Sequence, residues 1–190
     1  PLFERDGEHA QLLEVLEARL DITDDPLDRA SLLARILELA EQRLGNYSRA
    51  LEAALRWLAV DPSSAQALNE TDRLAERLDQ WPMVAARVTE ITRAPDARDR
   101  DPEVQVLLLN FLGRIQRKRL GQLPEAAASY RAALALEPTS LLAIDDLIKI
   151  LRQQGDAPGL AEVLRQRGRA VTELPEKRQA FAEVAQISDR

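Results

Sequence analysis

Apolar residues recur at spacings of three and four positions along almost the whole chain, and strict alternation of apolar and polar residues is nowhere sustained. The first spacing places apolar side chains on one face of an α-helix, whereas alternation would place them on one face of a strand. The pattern therefore predicts an all-α fold. The predicted helices lie at about 7–22, 27–43, 47–60, 64–78, 82–93, 102–119, 123–136, 140–153, 157–171 and from 175 onward.

Turn signals return at fixed distances along the chain. Gly45, Asp79, Gly121 and Gly155 follow predicted helices and are separated by 34, 42 and 34 positions, so the larger unit has a period of 76 residues. Glycine favours the left-handed backbone conformation that ends a helix before a tight turn. A period in this range is typical of stacked helix hairpins, each of which buries its apolar face only against its neighbours.

Proline and cap residues mark the helix boundaries with the same period. Asp25-Pro26 and Asp101-Pro102 are 76 positions apart, and in each pair the aspartate is a predicted N-cap followed by proline in the first turn. Asp61-Pro62 and Glu137-Pro138 are separated by the same distance, and proline there ends one helix before the next begins. Cap chemistry and hydrophobic periodicity thus agree on the hairpin boundaries.

These signals predict a single solenoid segment over residues 1–190. Its parts are an orphan second helix of a truncated repeat at 7–22, hairpins at 27–62, 63–93, 102–138 and 139–171, and the first helix of another truncated repeat at 175–190. The polar stretch 94–101 is interpreted as an extended inter-hairpin loop, because the repeat register continues across it. A domain linker is the alternative interpretation of this stretch.

Over about residues 27–171 the chain resembles an array of tetratricopeptide repeats, whose unit is an antiparallel helix hairpin of about 34 residues. The matching residues are Leu37, Gly45-Asn46-Tyr47, Ala50 and Pro62 in the first hairpin, and Gly121, Ala126, Tyr130, Ala133, Leu134 and Pro138 in the third. Trp57 departs from the family pattern because alanine is usual there, and Ala54 departs because an aromatic residue is common there. The resemblance implies a right-handed α-solenoid of antiparallel hairpins, here a segment of a longer bacterial array.

Composition argues against most catalytic and metal sites. The 190 residues include no cysteine and a single histidine, His9, so neither a zinc site of the common kind nor a thiol nucleophile can form. Asp145 and Asp146 are adjacent, and neighbours on a helix point about 100° apart, so they do not readily share one metal or proton. No glycine-rich phosphate loop and no apolar run of about 18 residues are present in the sequence. We therefore expect no catalytic residue, no cofactor, no metal and no membrane insertion.

The resemblance implies a partner-binding face. In arrays similar to this chain, the first helix of each hairpin lines the concave face, which binds an extended peptide or a partner helix. The candidate partner-binding residues on that face are Arg35, Gln42, Arg43, Asn69, Arg73, Arg77, Phe111, Ile115, Lys118, Arg119, Lys149 and Arg152. Phe111 is interpreted as an exposed anchor for a partner, with packing against the next hairpin as the alternative.

The basic residues of this set can be explained in two ways. Arginine side chains in register could bind a carboxylate-bearing, acidic segment with paired hydrogen bonds. Alternatively, Arg43 and Arg77 complement the partial negative charge at the end of their own helices, which requires no partner. The net charge of −6 argues against a general nucleic-acid binder, although the basic stretch 114–119 leaves RNA binding as a lesser alternative.

The predicted function is therefore a non-catalytic scaffold for protein–protein interaction. One alternative is a sensory or regulatory domain of a larger protein, with a small ligand in the groove. Another is a self-assembly element that stacks end to end through exposed end helices. The absence of cysteine suits oxidising and reducing compartments alike, so the localisation is not assigned, with cytoplasmic slightly favoured over periplasmic.

Overall fold

The computed structural model describes the backbone of residues 2–188 and the side chains of residues 7–187. All regular structure within that range is helical. The α-helices are α1 (Leu2–Asp21), α2 (Pro26–Glu38), α3 (Tyr47–Val60), α4 (Ala65–Leu78), α5 (Trp81–Arg93), α6 (Pro102–Lys118), α7 (Leu123–Leu136), α8 (Leu141–Gln154), α9 (Ala157–Ala170) and α10 (Leu174–Ser188). The predicted all-α helical repeat fold is confirmed. Helix α1 begins earlier than the periodicity indicates, because too few apolar residues precede residue 7 to reveal a period.

Helix α2 is extended by one π-helical turn, Leu39–Arg43. The amide of Leu44 donates to the carbonyl of Leu39 at 3.2 Å, and this bond between residues five positions apart closes the wide turn. The predicted span 27–43 is correct for the helix as a whole. Hydrophobic periodicity does not distinguish a single π turn from an α turn, so the widening at Glu41 was not predictable.

The four turn residues of the sequence repeat share one backbone conformation. Gly45, Gly121 and Gly155 have φ angles of 60°, 65° and 70°, and Asp79 has a φ angle of 52°. This left-handed region is accessible to glycine without steric cost, and aspartate tolerates it better than most other residues. The weaker turn signal at Asp79 therefore marks the same chain reversal as the three glycines.

The chain divides into two compact units, residues 1–91 and 92–190. The boundary lies just before the stretch 94–101, which contains a short 3-10 helix, Pro95–Arg98. The grouping of all the hairpins into one solenoid segment, with an extended loop in the middle, stays a prediction.

In the first unit, α1 packs against α2, α2 against α3, and α3 against α4. The apolar residues that the helical spacing places on one face meet in its core. Leu33 and Ile36 of α2, Leu51 and Leu58 of α3, and Leu74 of α4 are all 0% exposed. Burial of each such side chain contributes about 1.5–3 kcal/mol, so tertiary packing stabilises these short helices far more than helix propensity does.

In the second unit, the order of contacts follows the chain from α6 to α10, each helix packing against the next. Tyr130 of α7, Ile144 and Leu147 of α8, and Leu164 of α9 belong to one buried cluster, and Val184 of α10 extends it. Asp101 begins the unit's first helix as predicted, because its carboxylate accepts a hydrogen bond from the amide of Glu103 at 2.9 Å.

Candidate functional site

An open groove of about 930 Å³ lies along the first unit, between α2 with its π turn, α3 and α4. We call it groove 1. Three of the predicted partner-binding residues, Arg35, Gln42 and Arg73, line it, together with the aromatic side chains of Tyr47 and Trp57. The helical repeat explains this grouping, because α2 and α4 are the first helices of successive hairpins and are held side by side by α3.

The guanidinium of Arg73 is already occupied within the protein. Its Nη1 donates to Glu41 Oε1 at 2.7 Å, and its Nε donates to Glu70 Oε2 at 2.9 Å. The hydrogen bonds from Arg73 hold the pKa of Glu41 below its usual range, against the opposing effect of burial, and the pKa of Arg73 is raised in turn. Arg73 is therefore a structural link between two hairpins and not an unoccupied cation for a partner.

Replacing Arg73 with methionine is expected to raise the pKa of Glu41 towards its usual value of 4.5. Because the pKa of Glu41 is lower in the folded protein than in the unfolded chain, its pairing with Arg73 stabilises the fold fully at pH values above the unfolded-state pKa. That stabilisation is lost as the pH falls through the folded-state pKa. The loss of stability at neutral pH should be at most about 1 kcal/mol, since Arg73 is half exposed. Carbon-detected NMR titration of the glutamate carboxyls measures the shift, and Arg87→Met, which breaks an exposed pair with Glu90, is the control. An unchanged Glu41 titration would contradict the assignment.

The other predicted residues of the first unit differ in their availability. Arg35 and Arg43 are exposed, and their guanidinium groups make no hydrogen bond or ion pair with any residue that the structure describes. The guanidinium of Arg77 stacks over the ring of Tyr47, 3.8 Å from its centroid. Asn69 is exposed on α4 but is not part of the lining of groove 1. The structure therefore brings together part of the predicted set and separates the rest from it.

A second, smaller groove of about 290 Å³ lies between α8, α9 and α10, and we call it groove 2. The predicted residues Lys149 and Arg152 line it. Both are paired inside the protein, since Lys149 Nζ lies 2.6 Å from Asp146 Oδ1 and Arg152 Nη2 lies 2.6 Å from Glu183 Oε1. Arg167, which the sequence reading did not include, also lines groove 2 and is bonded to Asp145 at 2.8 Å.

The interpretation of Phe111 as an exposed anchor is wrong. Its side chain is 5% exposed, and Ile115 one turn later is 1% exposed, so neither residue presents a surface to a partner. The packing alternative for Phe111 applies, because an apolar side chain in a helical repeat is stabilised by burial between helices. The guanidinium carbon of Arg114 lies 5.1 Å from the centroid of the Phe111 ring. Lys118 and Arg119 are exposed at the end of α6.

Helices α6, α7 and α8 share a second ion network, around Asp146. Tyr130 donates its hydroxyl to Asp146 Oδ2 at 2.9 Å, and Arg117 Nη2 lies 3.3 Å from Asp146 Oδ1. Burial raises the pKa of Tyr130, and the neighbouring carboxylate raises it further. Burial alone would also raise the pKa of Asp146, but the hydrogen bonds from Lys149 and Tyr130 outweigh it, so that pKa is lowered.

The two networks occupy equivalent positions of the sequence repeat with their charges redistributed. The equivalent residues, 76 positions apart, are Glu41 and Arg117, Glu70 and Asp146, and Arg73 and Lys149. In the first unit one cation lies between two carboxylates, and in the second unit one carboxylate lies between two cations. Equivalent positions thus carry a bridge between hairpins in both units, and the charge is reversed at only one of the three positions, Glu41 and Arg117.

The sequence reading missed the carboxylates that hold these cations. Glu41 lies 32 positions before Arg73, and Glu183 lies 31 positions after Arg152. These separations are close to one repeat of 34 residues. Opposite charges separated by nearly one repeat, on the first helices of successive hairpins, are the signal that would have predicted the pairs.

The departure from the family pattern at Ala54 is explained by an exchange of large and small side chains between two equivalent buried pairs. In the second unit Tyr130 packs over Gly113, and a Cβ atom added to that glycine would lie 2.9 Å from the tyrosine ring. Seventy-six positions earlier, Leu37 takes the place of the glycine and Ala54 that of the tyrosine. Both pairs are buried. The space between the two helices of the hairpin is therefore filled by a large side chain of the second helix in one unit and of the first helix in the other.

No group of three or more histidine, cysteine, aspartate or glutamate side chains suited to a metal ion occurs among the residues with described positions. None of the helices in the described range is long and apolar enough to cross a membrane.

Comparison with known proteins finds a family match over part of this chain. Residues 108–142, which include most of α6 and all of α7, match the family model described as tetratricopeptide repeat. A stretch of 64 residues is 38% identical to the photosystem I assembly protein Ycf3 of Synechococcus elongatus and of a second Synechococcus strain. The match covers 34% of this chain and 36% of each relative, so the chain spans about a third of the length of these relatives.

Among solved structures, the chain is similar to the TPR2AB domain of yeast Sti1 in complex with an Hsp90 peptide. The TM-score is 0.39 at 16% identity, with 95% of this chain and 78% of the other covered. Tetratricopeptide repeats generally act as scaffolds for protein–protein interaction and not as enzymes. The family match over residues 108–142 relates the third hairpin to the tetratricopeptide repeat, in agreement with the all-α helical repeat fold.

Proposed function

We propose that this protein is a non-catalytic interaction scaffold, and that groove 1 binds an extended segment of a partner protein. The observation that carries the proposal is the open groove of about 930 Å³ between successive hairpins, whose wall includes the exposed side chains of Arg35 and Gln42. A long open groove suits a peptide better than a small ligand, which is bound in a pocket that encloses most of its surface. Groove 2 is smaller, at about 290 Å³, and its cations are paired.

An acidic partner segment has limited support from the charges. Arg73, Lys149 and Arg152 each bind a carboxylate of the chain itself, so they add little attraction for another one. Arg35 is the lining cation of groove 1 that has no partner among the described residues. We propose that Arg35 favours an acidic residue in the bound segment and accelerates association more than it strengthens the complex.

The names of the relatives support a scaffold role. Ycf3 is named for the assembly of photosystem I. We infer a role of the same general kind for this chain, in which a partner is bound in groove 1 and held for a later step.

Peptide selection tests the proposal. Peptides selected from a random displayed library against the whole chain are expected to shift the amide NMR signals of Arg35, Gln42 and Gln66. Arg35→Glu should weaken the best of them about tenfold, the loss expected for one charge-assisted contact. Arg19→Glu makes the same charge change at an exposed position of α1 outside the groove, and it should leave binding within about twofold of the original. Equal losses in both variants, or shifts that avoid groove 1, would refute the proposal.

A further inference from the structure

Trp57 stands apart from the other aromatic residues of the repeat. It lines groove 1 and is 8% exposed, yet its indole Nε1 has no hydrogen-bond acceptor in the described part of the protein. The equivalent residue 76 positions later is Ala133, so the hairpin fold does not need an aromatic ring at this position. Buried donors are nearly always paired in native proteins, because leaving one unpaired costs free energy. An unpaired indole in the wall of an open groove therefore requires an explanation.

The polar groups around Trp57 indicate the chemistry of an occupant. Gln42 and Gln66 line the same groove, are exposed, and make no side-chain hydrogen bond with any described residue. An amide side chain offers both a donor and an acceptor, which is the pattern that a peptide main chain presents in return. The charged residues of the wall are different, since Arg73 is neutralised by Glu41 and Glu70.

We propose that Trp57 anchors an extended partner segment in groove 1 by donating its indole N–H to one of the segment's main-chain carbonyls. Gln42 and Gln66 bind the neighbouring peptide groups of that segment. The inference rests on the proposed function of groove 1 and adds which group of the partner is recognised. Because the N–H is closed to solvent in the unbound protein, exposed side chains of the wall move aside when the carbonyl enters.

This mode of recognition separates two contributions to binding. A hydrogen bond between neutral groups at a buried position is insensitive to salt, whereas the attraction of Arg35 for an acidic residue is screened at high ionic strength. The contribution of Trp57 should therefore persist in concentrated salt, and the contribution of Arg35 should fall.

The test compares Trp57→Phe with Trp81→Phe, which makes the same change in α5 outside the groove lining. The probe is a fluorescein-labelled peptide chosen by selection against the unmodified chain. Trp57→Phe removes the N–H and keeps an aromatic ring, and the smaller ring is expected to lower the urea midpoint of the unbound protein slightly through lost packing. Its affinity for the peptide should fall about tenfold at both about 0.1 M and about 0.5 M NaCl, while the Arg35→Glu loss shrinks at the higher salt.

In the Trp81→Phe protein, the remaining indole N–H signal should move downfield on peptide addition.

Each contrary result has a definite meaning. A Trp57 indole N–H signal that already lies at a downfield, hydrogen-bonded position in the unbound Trp81→Phe protein, and does not move on peptide addition, would show that the N–H is already bonded, and the inference would be overturned. A peptide that binds groove 1 with equal affinity in Trp57→Phe would overturn the inference and leave the proposed function intact. Failure of every selected peptide to shift the signals of groove 1 would remove both.

Discussion

Combining Gly113→Leu with Tyr130→Ala is expected to restore much of the stability that each substitution removes alone. Tyr130 is 0% exposed and packs on Gly113, where an added Cβ atom would lie 2.9 Å from the ring. Removing the ring leaves a cavity, and adding a leucine beneath the intact ring overpacks the same space. Together the two changes recreate the pair Leu37 and Ala54, which fills the equivalent space 76 positions earlier.

The magnitudes make this a decisive comparison. Tyr130→Ala should cost about 3–5 kcal/mol, the usual range for a buried aromatic side chain, and it also removes the hydroxyl bonded to Asp146. Gly113→Leu should cost about 1–3 kcal/mol through overpacking. The two changes act on one space, so a favourable coupling of about 2 kcal/mol is expected in the double variant.

Urea unfolding of the original chain, both single variants and the double variant measures this coupling. The matched control combines Gly113→Leu with Leu164→Ala, a buried leucine of α9 in the same unit that does not replace the tyrosine ring. The costs in the control should add. Additive costs in both combinations would show that the hairpins do not exchange size across one contact.

Asp146→Ala is expected to be much more destabilising than Asp145→Ala, although the residues are neighbours. Asp146 accepts hydrogen bonds from Tyr130 and Lys149 and forms an ion pair with Arg117. Its removal leaves the buried tyrosine hydroxyl without this acceptor and should cost about 2–3 kcal/mol at neutral pH. Asp145 is 45% exposed in its pair with Arg167, so its loss should cost at most about 1 kcal/mol.

The effect of Asp146 has a defined pH dependence. Its folded-state pKa is lowered below the ordinary value of 3.8, so the unfolded chain binds the proton more readily. The stabilisation is therefore present above about pH 4 and is lost as pH falls through the folded-state pKa. Urea midpoints of Asp146→Ala and the original chain should differ at about pH 7, and the difference should shrink as the pH falls below the ordinary aspartate pKa of 3.8. A difference that stays constant across this range would contradict the electrostatic origin.

Features of the chain that depend on neighbouring residues were predictable. The apolar spacing located the helices because a residue three or four positions away shares its face. The cap at Asp101 followed from a carboxylate placed before a proline, and the turn at Gly121 from a residue that tolerates positive φ. These signals recur with the repeat, so the all-α repeat fold could be predicted before any contact was known.

The candidate site was only partly predictable. The sequence placed Arg35 and Arg73 on the first helices of successive hairpins, and both line groove 1. The sequence pattern does not distinguish the two arginines. In the structure Arg73 is held by Glu41, whereas the side chain of Arg35 has no partner among the described residues. The difference depends on a residue 32 positions away, and local patterns do not report which charges meet across a hairpin contact.

Sequence alone therefore determined what kind of helices the chain forms, where they turn and how often the unit repeats, because those properties depend on backbone preferences and hydrophobic spacing within one or two turns. Tertiary structure alone decided that Phe111 is buried, that Arg73 is neutralised and that the indole of Trp57 lacks an acceptor. These outcomes depend on desolvation and pairing between helices, which exist only after the hairpins have packed together.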